Sequence, residues 1–495
     1  MGKWTRRGFL LAGGAAVGAL GMKRYGDELP SMAGTQSLQP TDRKLYLNDA
    51  SGLSQTSIKH HFITEQNSST GLVEEIRSQL KTAQAEGQPV AVGAARHSMG
   101  GQSIPQDGRA ITFDHDFLEL DKVKSTYRVA AGVRWHSIIK QLDAAGYSPS
   151  VMQSNSDFGV ASTFCVNAHG WPVIFGPAGA TTRSMKMVLA NGELVTCSRQ
   201  ENQELFNLAM GGYGLFGVIT ELEMDMVPNS RLIPAYEELP AAGYGEAMVK
   251  ALKADPSIQM AYGRLNVDRG SFFEEALLIT YRPTHDQDDL PAVAGSGFMS
   301  KASRHIFRGQ LGNERVKDWR WFVETDVGPA LGGESTRNSL MNEPVITLDD
   351  KDPTRTDILH EYFVSPDQFP AFIKACQDVI PASYQELLNI TLRYVGQDDE
   401  SVLSYAWEPR IAAVMLFSQE MTQRGEADMA RMTRNLIDRV IAIGGAYYLP
   451  YRPHATVDQF QGSYQRVSEF AEAKRRLDPG LLFRNNFWDA YVSQV

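Results

Sequence analysis

Apolar and polar residues follow two different periods along the chain, and together these periods predict a mixture of helices and strands. From Thr70 to Gly87 the apolar residues recur every three or four positions, which is the spacing of one helix face. The buried stripe of this helix is expected to comprise Leu72, Val73, Ile76, Leu80 and Ala83. A second helical stripe comprises Trp135, Ile138, Ile139 and Leu142. Between residues 220 and 226 every second residue is apolar, which predicts a strand with one buried face.

Short apolar runs bounded by turn residues predict further strands, and Pro228 marks a boundary between two regions. Before it, strands are expected at 89–92, 110–114 and 127–131. Asn191-Gly192 predicts a hairpin over 188–195 in which both turn residues adopt positive φ. After it, the pattern predicts strands at 259–267, 275–282, 359–364, 388–395 and 410–418, and helices at 366–379 and 424–442, with an irregular stretch at 284–350. This order of elements indicates the α+β class, with an antiparallel second region.

Length, charge and cysteine content limit the function classes. The chain has 495 residues, and a single hydrophobic core stops growing at roughly 250–300 residues, so two domains are expected. A formal charge of -10 disfavours binding to nucleic acid or to anionic lipid. Cys165, Cys197 and Cys376 form no CxxC pair or Cys/His cluster, which argues against a metal site. One disulfide bridge among the three stays open.

The N-terminus predicts export. Arg6 and Arg7 precede Gly8-Phe9-Leu10, and an apolar run reaches about Gly21. This run is shorter than the roughly 20 residues of a membrane span, so residues 1–33 are interpreted as a twin-arginine signal peptide for the periplasm. The alternative is a chance arginine pair before a buried helix. The cleavage site is weakly marked, and an uncleaved signal would act as a membrane anchor.

Three glycine-rich segments follow predicted strands or helices, namely 93–102, 167–170 and 211–217. Loops of small residues let backbone N–H groups approach a ligand closely, and clusters of such groups bind phosphates. A single loop of this kind is more often an ordinary tight turn. Three of them at comparable positions favour a nucleotide-binding site.

These segments, in this order, resemble the vanillyl-alcohol-oxidase (PCMH-type) flavoproteins. The similarity is greatest to the aldonolactone and alditol oxidase branch (D-arabinono-1,4-lactone oxidase-like), with some features of cytokinin dehydrogenases. The segments that carry it are 92–98, 131–135, 160–170, 191–196, 211–220, 475–479 and 483–486. The resemblance implies a two-subdomain FAD-binding domain over 55–228, an α+β substrate domain with an antiparallel sheet over 229–445, and a segment, 446–495, that returns to the first domain.

The resemblance also implies which residues bind FAD. His97 would be joined covalently to the flavin 8α carbon; the alternative is a hydrogen-bonded loop histidine beside non-covalent FAD. The complete set of expected FAD-binding residues is Gly93, Ala94, Ala95, Arg96, His97, Ser98, Gly101, Gln102, Ser162, Thr163, Asn167, His169, Gly170, Gly217, Ile219 and Asn486.

On the substrate side the resemblance is incomplete. It implies that Arg393 stabilises reduced flavin; pairing with Asp398 or Asp399 is the alternative. The branch carries Glu two residues before this arginine, where this chain has Thr391, and Pro-His-Trp-Gly-Lys where this chain has Pro-His-Ala-Thr-Val after Arg452. Another base is therefore needed, and the candidates are His454, Glu361 and Asp157.

The function expected from these features is oxidation of a CH–OH group in an alcohol, polyol, sugar or aldonolactone-like substrate, by hydride transfer to flavin. Electrons would pass to oxygen or to a periplasmic or membrane acceptor. Ala131, at a position comparable to one that gates oxygen in the family, favours restricted oxygen access. Amine oxidation and a non-catalytic flavin-binding protein are the alternatives.

Overall fold

The computed structural model describes residues 45–64, 69–113, 117–293, 307–343 and 352–495. Helices and sheets are mixed, as the α+β class predicts. The strands are β1 (Tyr46–Leu47), β2 (Thr56–Ser57), β3 (His60–Thr64), β4 (Val90–Gly93), β5 (Arg109–Phe113), β6 (Leu118–Asp121), β7 (Thr126–Ala130), β8 (Tyr147–Pro149), β9 (Thr182–Val188), β10 (Leu194–Ser198), β11 (Val218–Pro228), β12 (Arg231–Pro240), β13 (Met260–Leu265), β14 (Glu275–Pro283), β15 (Ser335–Thr336), β16 (Arg355–Val364), β17 (Glu386–Val395), β18 (Arg410–Glu420) and β19 (Ala446–Tyr447). The helices are α1 (Ser69–Glu86), α2 (Trp135–Ala144), α3 (Val160–Cys165), α4 (Gln203–Ala209), α5 (Tyr244–Ala254), α6 (Glu314–Phe322), α7 (Gly328–Leu331), α8 (Arg337–Met341), α9 (Phe369–Val379), α10 (Gln423–Ala442), α11 (Val457–Ser463), α12 (Val467–Leu477) and α13 (Asn486–Ala490).

The two amphipathic helices predicted near the N-terminal side are confirmed. All five apolar residues of the first stripe are buried in α1, and all four of the second are fully buried in α2. Burial of such stripes, rather than intrinsic propensity, supplies most of a helix's stability in a folded protein. The predicted twin-arginine signal falls outside the described residues.

The predicted hairpin at Asn191-Gly192 is confirmed in pairing but not in turn geometry. Strands β9 and β10 pair antiparallel, with Leu194 opposite Val188. Only Gly192 has a positive φ, of 82°. The connection spans residues 189–193, and the N–H of Leu189 donates to the carbonyl of Glu193 at 2.8 Å. The expectation of positive φ at both turn residues was wrong because the loop is longer than the two-residue turn that requires it.

The described part of residues 55–228 contains two sheets of three or more strands, while β2 pairs with β1 in a two-stranded sheet. Strands β3, β5 and β4 form a parallel sheet in that order, and β10, β9, β11, β7 and β6 form an antiparallel sheet to which β8 adds through β11. The division of this region into two subdomains stays a prediction. Cys165, Cys197 and Cys376 are all free thiols, so no disulfide contributes to the fold.

An eight-stranded antiparallel sheet forms the second region, in the order β15-β12-β14-β13-β17-β18-β16-β19. Helices α5 and α10 contact its strands, and α9 contacts both helices. His360 of β16 faces this helical layer, because its ring lies 3.3 Å from the Thr433 hydroxyl of α10. Since side chains alternate along a strand, Glu361 points to the opposite face.

The end of the chain packs against the first region. Phe483 forms a parallel bridge with Val90 at the edge of β4. The side-chain amide of Asn485 donates to the carbonyls of Gln102, at 2.6 Å, and of Tyr213, at 2.9 Å. Both acceptors belong to glycine-rich segments singled out in the sequence. Within the described ranges no helix has the length and apolar character of a membrane span.

Candidate functional site

A cleft of about 410 Å³ lies between the first region and the face of the eight-stranded sheet that is opposite its helices. One wall is built by the loop after β4, residues 93–98, by segment 153–169 and by the start of β11. The other wall is built by side chains of β13, β16, β17 and β18. Its volume is in the range of small-molecule and cofactor sites, which lie preferentially between domains.

The sheet contributes a continuous row of side chains to this cleft. Arg264 lies opposite Thr391 in the β13–β17 pair, Thr391 opposite Val414 in β17–β18, and Val414 opposite Glu361 in β18–β16. All four line the cleft. Arg393 follows Thr391 by two positions and therefore lies on the same face. The row thus places the Arg264 guanidinium and the Glu361 carboxylate three strands apart, on β13 and β16.

The loop after β4 brings a cation and an imidazole to the opposite wall. Arg96 adopts a left-handed conformation, with φ of 52°. One guanidinium NH2 group donates to the Thr112 hydroxyl at 2.7 Å, while its Nε is buried without a hydrogen-bond partner. Burial, and secondly the nearby Arg134, lowers the pKa of Arg96 to about 10. The side chain therefore stays cationic at neutral pH.

His97 lies beside Asp157 and Phe158. Its Nε2 atom is 3.7 Å from the nearer carboxylate oxygen of Asp157, and its ring centroid is 4.4 Å from that of Phe158. The ring lines the cleft and is partly exposed there. The carboxylate can thus orient the imidazole ring.

His169 and Glu361 form a buried pair on the floor of the cleft. His169 Nε2 donates to Glu361 Oε1 at 2.5 Å, and the Tyr451 hydroxyl donates to Glu361 Oε2 at 3.0 Å. His169 Nδ1 is buried without a hydrogen-bond partner. Because Glu361 accepts from Nε2, a neutral His169 ring presents Nδ1 as an unprotonated acceptor.

Arg393 lies next to this pair. One of its terminal nitrogens donates to the His169 carbonyl in a long contact of 3.4 Å, and its Nε is buried without a partner. Burial lowers the pKa of Arg393, and Glu361 counteracts this shift. The alternative expectation, a pairing with Asp398 or Asp399, was wrong, because Asp398 accepts hydrogen bonds from Asn167 and Ser401, and Asp399 from Gln397.

Several residues that line the cleft carry buried polar atoms without hydrogen-bond partners. Leaving a buried donor or acceptor unpaired costs about 1–3 kcal/mol, so several of them in one cleft indicate groups that a ligand satisfies. Gly214, with φ of 72°, opens onto the same space, where a side chain would meet no other atom. These features fit a large cofactor with phosphate, ribityl and ring polar groups. The unpaired atoms that belong to cleft-lining residues are Arg96 Nε, Ser154 Oγ, His169 Nδ1, Trp171 Nε1 and Arg393 Nε.

Most residues expected to bind FAD line this cleft. The twelve that do so are Gly93, Ala94, Ala95, Arg96, His97, Ser98, Gln102, Ser162, Thr163, His169, Gly217 and Ile219. Four others lie outside the lining, and they are Gly101, Asn167, Gly170 and Asn486. Each of these four is packed against protein.

The contacts of those four residues explain their positions. A side chain at Gly101 would overlap Asn486, and one at Gly170 would overlap the carbonyl of Met152. Asn167 accepts from the N–H of Gly179 and donates to Asp398, both at 2.9 Å. These residues therefore shape the walls rather than face the cleft.

The four candidate catalytic residues do not all lie at the cleft. Glu361 and Arg393 line the cleft, and Asp157 lies beside His97. His454 does not line it, because its ring is buried against α10. Its Nε2 lies 2.9 Å from a carboxylate oxygen of Glu426, and its Nδ1 lies 3.2 Å from the Thr433 hydroxyl. Both ring nitrogens are thus engaged on the helical side of the sheet, which corrects its assignment as a candidate base.

Several cleft residues were not singled out in the sequence, chiefly Trp171 and Arg264. The N–H of Ala261 donates to the Trp171 carbonyl at 2.9 Å, which joins segment 171–173 to β13. Trp171 then stacks on Tyr262, with ring centroids 4.4 Å apart. The alternation within 259–267 places Tyr262 and Arg264 on one face, and this was the signal that could have marked them.

Comparison with known proteins bears on the first wall. The model of a family described as "FAD binding domain" matches residues 71–198. Cytokinin dehydrogenase 2 of Arabidopsis thaliana is 33% identical over 145 residues, which cover 28% of this chain and 29% of that protein. Alditol oxidase of a Streptomyces species is 31% identical over 155 residues, covering 30% and 37% respectively. D-arabinono-1,4-lactone oxidase of Yarrowia lipolytica is 28% identical over 170 residues, covering 32% and 31%.

The matched stretches thus span well under two thirds of these relatives' lengths, 37% at most among the three. Two of the three names, alditol oxidase and D-arabinono-1,4-lactone oxidase, are those of the branch that the motifs resemble. The matched stretch includes segment 93–169, along which the cleft opens. Residues 71–198 of this chain thus match the FAD binding domain family.

Proposed function

We propose that this protein is an FAD-dependent oxidoreductase that oxidises a CH–OH group of a small-molecule substrate to a carbonyl. The observation that carries the proposal is the cleft itself, in which the loop bearing His97 faces the buried His169–Glu361 pair and Arg393. One wall has the properties of a dinucleotide site, and on the floor where the two walls meet a proton acceptor lies next to a cation. Both are needed for hydride removal from an alcohol.

The first wall would hold FAD. Backbone groups of residues 93–98, with Ser162 and Thr163, would meet the diphosphate, and Arg96 would supply a cation for it. His97 would form the covalent bond to the flavin 8α carbon, with Asp157 orienting the ring. When bound, FAD supplies the acceptor for the electron pair that leaves the substrate carbon as hydride.

His169 would accept the hydroxyl proton of the substrate. Its Nδ1 is buried without a hydrogen-bond partner in a residue that lines the cleft, while the hydrogen bond to Glu361 holds the ring and fixes the tautomer. Oxidation of a carbinol releases one hydride and one proton, so the proton at Nδ1 completes the balance. Arg393 would stabilise the negative charge that the flavin gains when it accepts hydride.

The test is anaerobic mixing of the purified protein with alditols, sugars, aldonolactones, simple alcohols and amines, followed by visible absorbance. Loss of the oxidised-flavin band with a hydroxyl substrate is the expected result. Bleaching by amines alone would favour the cytokinin-dehydrogenase-like alternative, which the similarity to cytokinin dehydrogenase 2 supports. Absence of bleaching by every class would favour a non-catalytic flavin-binding protein.

We also propose that the protein is exported through the twin-arginine route and passes electrons to oxygen or to a periplasmic or membrane acceptor. Arg6 and Arg7 support export, and the buried Ala131 in the cleft wall supports restricted oxygen access. Changing Arg6 and Arg7 to Lys should retain the protein in the cytoplasm, as seen by cell fractionation. Periplasmic recovery of that variant would exclude the route.

A further inference from the structure

Arg264 presents a guanidinium to the cleft with only neutral partners. One terminal nitrogen donates to the Thr391 hydroxyl and to the Asn389 side-chain oxygen, the latter at 3.3 Å. Its guanidinium also lies over the Tyr262 ring, 5.2 Å from the centroid. In the described part of the chain no carboxylate forms an ion pair with Arg264.

The surroundings of Arg264 do not neutralise it. Arg264 helps to lower the pKa of Glu324, but that carboxylate is paired with Arg320 at 2.8 Å. Arg320 also donates to the Asn389 side chain at 2.6 Å, so two guanidiniums and one carboxylate surround this amide. This end of the cleft therefore keeps a net positive charge. The carboxylates that line the cleft are Glu361, which accepts hydrogen bonds from His169 and Tyr451, and Glu343.

The wall next to Arg264 suits a polyhydroxylated molecule. Trp171 and Tyr262 stack with an interplanar angle of 22°, which gives a flat apolar surface. Trp171 Nε1 and Ser154 Oγ are buried polar atoms without partners in the same lining. Flat aromatic surfaces with scattered hydrogen-bonding groups are typical of sites that bind polar ring or chain compounds.

We propose that Arg264 binds a carboxylate of the substrate, and that the substrate class is sugar acids. This inference deepens the proposed function and rests on it. A guanidinium that faces a partly dry cleft with neutral neighbours attracts an anion more strongly than one that is already paired. A neutral polyol would leave this charge uncompensated.

The sheet register sets the size of that substrate. Arg264 and Glu361 are separated by three strand spacings, so their backbones lie about 14 Å apart. The carboxylate would therefore bind several atoms away from the carbinol carbon, whose hydroxyl proton His169 accepts. Because the Arg264 side chain reaches Thr391 of β17, about two strand spacings, roughly 10 Å, remain to Glu361. Acids with five or six carbons suit this interval better than short hydroxy acids do.

The experiment compares D-gluconate with D-glucitol, which share a carbon chain and differ in one carboxylate. Dissociation constants of the holoprotein are measured by titration calorimetry, and KM by flavin reduction. The wild type is expected to bind gluconate at least tenfold more tightly than glucitol. Arg264→Gln should remove that difference and leave glucitol within twofold, and Arg264→Lys should keep part of it.

Thr391→Glu gives a second, independent change, because a carboxylate next to Arg264 would occupy the guanidinium. It should weaken gluconate at least tenfold more than it weakens glucitol. Arg439→Gln, at an exposed position of α10, is the matched control and should change neither constant.

Equal affinity of the wild type for the two compounds, or equal weakening of both by Arg264→Gln, would overturn the inference. Failure of the proposed function has a different signature, since neither compound would bleach the flavin although calorimetry still reports on the carboxylate. Gluconate that shows no binding to the wild type also overturns the inference.

Discussion

The chemistry of the cleft depends on how one side chain fixes the tautomer of another. Glu361 accepts from His169 Nε2 at 2.5 Å and from Tyr451 at 3.0 Å, so its two oxygens are both engaged. The carboxylate is thereby a positioning group, and the imidazole is the group that is free to receive a proton. Partners of this kind set the orientation and basicity of a histidine.

At this scale, His169→Gln should lower the rate of anaerobic flavin reduction by about 10²–10³-fold, because general-base catalysis contributes about 10²–10⁴. Glu361→Gln should lower it less, about tenfold, because the ring stays in place. Stopped-flow absorbance measures both, with flavin content determined on the same samples. His136→Gln, at an exposed position of α2, is the control. A wild-type rate in His169→Gln would show that another group takes the proton.

The sequence predicted part of this site and missed part for a physical reason. Glu361 and Arg393 were found through the resemblance, and both line the cleft. Arg264 was not found, because alternation shows that a residue shares a face with its neighbours but not which face meets the cleft. That depends on the pairing of β13 with β17, which joins residues more than 100 positions apart. His454 was misplaced because Glu426 and Thr433 of α10 hold it on the other side of the sheet.

At the scale of elements, Asn485, the residue just before α13, holds the C-terminal segment against the walls of the cleft. Asn485 donates to the carbonyls of Gln102 and Tyr213 and accepts from the N–H of Trp488 at 3.1 Å, which caps α13. Gln102 and Tyr213 both line the cleft. One side chain thus joins the C-terminal segment to two walls of the site.

Asn485→Ala should destabilise the protein by about 2–4 kcal/mol, because two buried carbonyls and a helix cap lose their partner. It should also weaken retention of FAD. Chemical denaturation and the absorbance ratio of flavin to protein measure the two effects. Ser493→Ala, at an exposed position near the end of the chain, should change neither. Unchanged stability in Asn485→Ala would mean that the segment does not support the walls.

The sequence pattern predicted the elements that bury one face and expose the other. The stripes of α1 and α2 were read correctly because each has one buried face, whereas β12 was missed. Strand β12 pairs with β14 over nine positions, yet only Leu232 is buried along it. Such a strand carries no strong hydrophobic period. The parallel order β3-β5-β4 was likewise outside the reach of local patterns, since it brings together segments separated in sequence.

At the scale of the whole molecule, the buried histidines behind the cleft make stability depend on pH. Burial, and secondly His454, lowers the pKa of His360 to about 3. Burial also lowers the pKa of His454, although the hydrogen bond to Glu426 counteracts this. The unfolded chain binds protons at these rings near pH 6.5, whereas the folded protein leaves them neutral. The stability that comes from keeping these two histidines neutral is therefore fully present above pH 6.5, and it falls as the pH decreases toward 3.

His360→Asn should make the unfolding free energy depend less steeply on pH between about pH 6.5 and 5, which is above the range where carboxylates titrate. The slope of the unfolding free energy should decrease by up to about 1.4 kcal/mol per pH unit, the value for one proton. Urea denaturation at a series of pH values measures it, with His60→Asn, an exposed histidine, as the control. Equal slopes in His360→Asn and the wild type would contradict the proposed origin.

The most direct measurement on the whole molecule is the visible spectrum of the purified full chain before and after acid precipitation. If the cleft holds FAD joined to His97, the protein is yellow, the colour stays with the precipitated polypeptide, and a flavin-bearing peptide contains His97. His97→Ala should then release its flavin into the supernatant while the fold and the cleft persist. A correctly folded wild type that is colourless and takes up no added FAD would contradict the central claim.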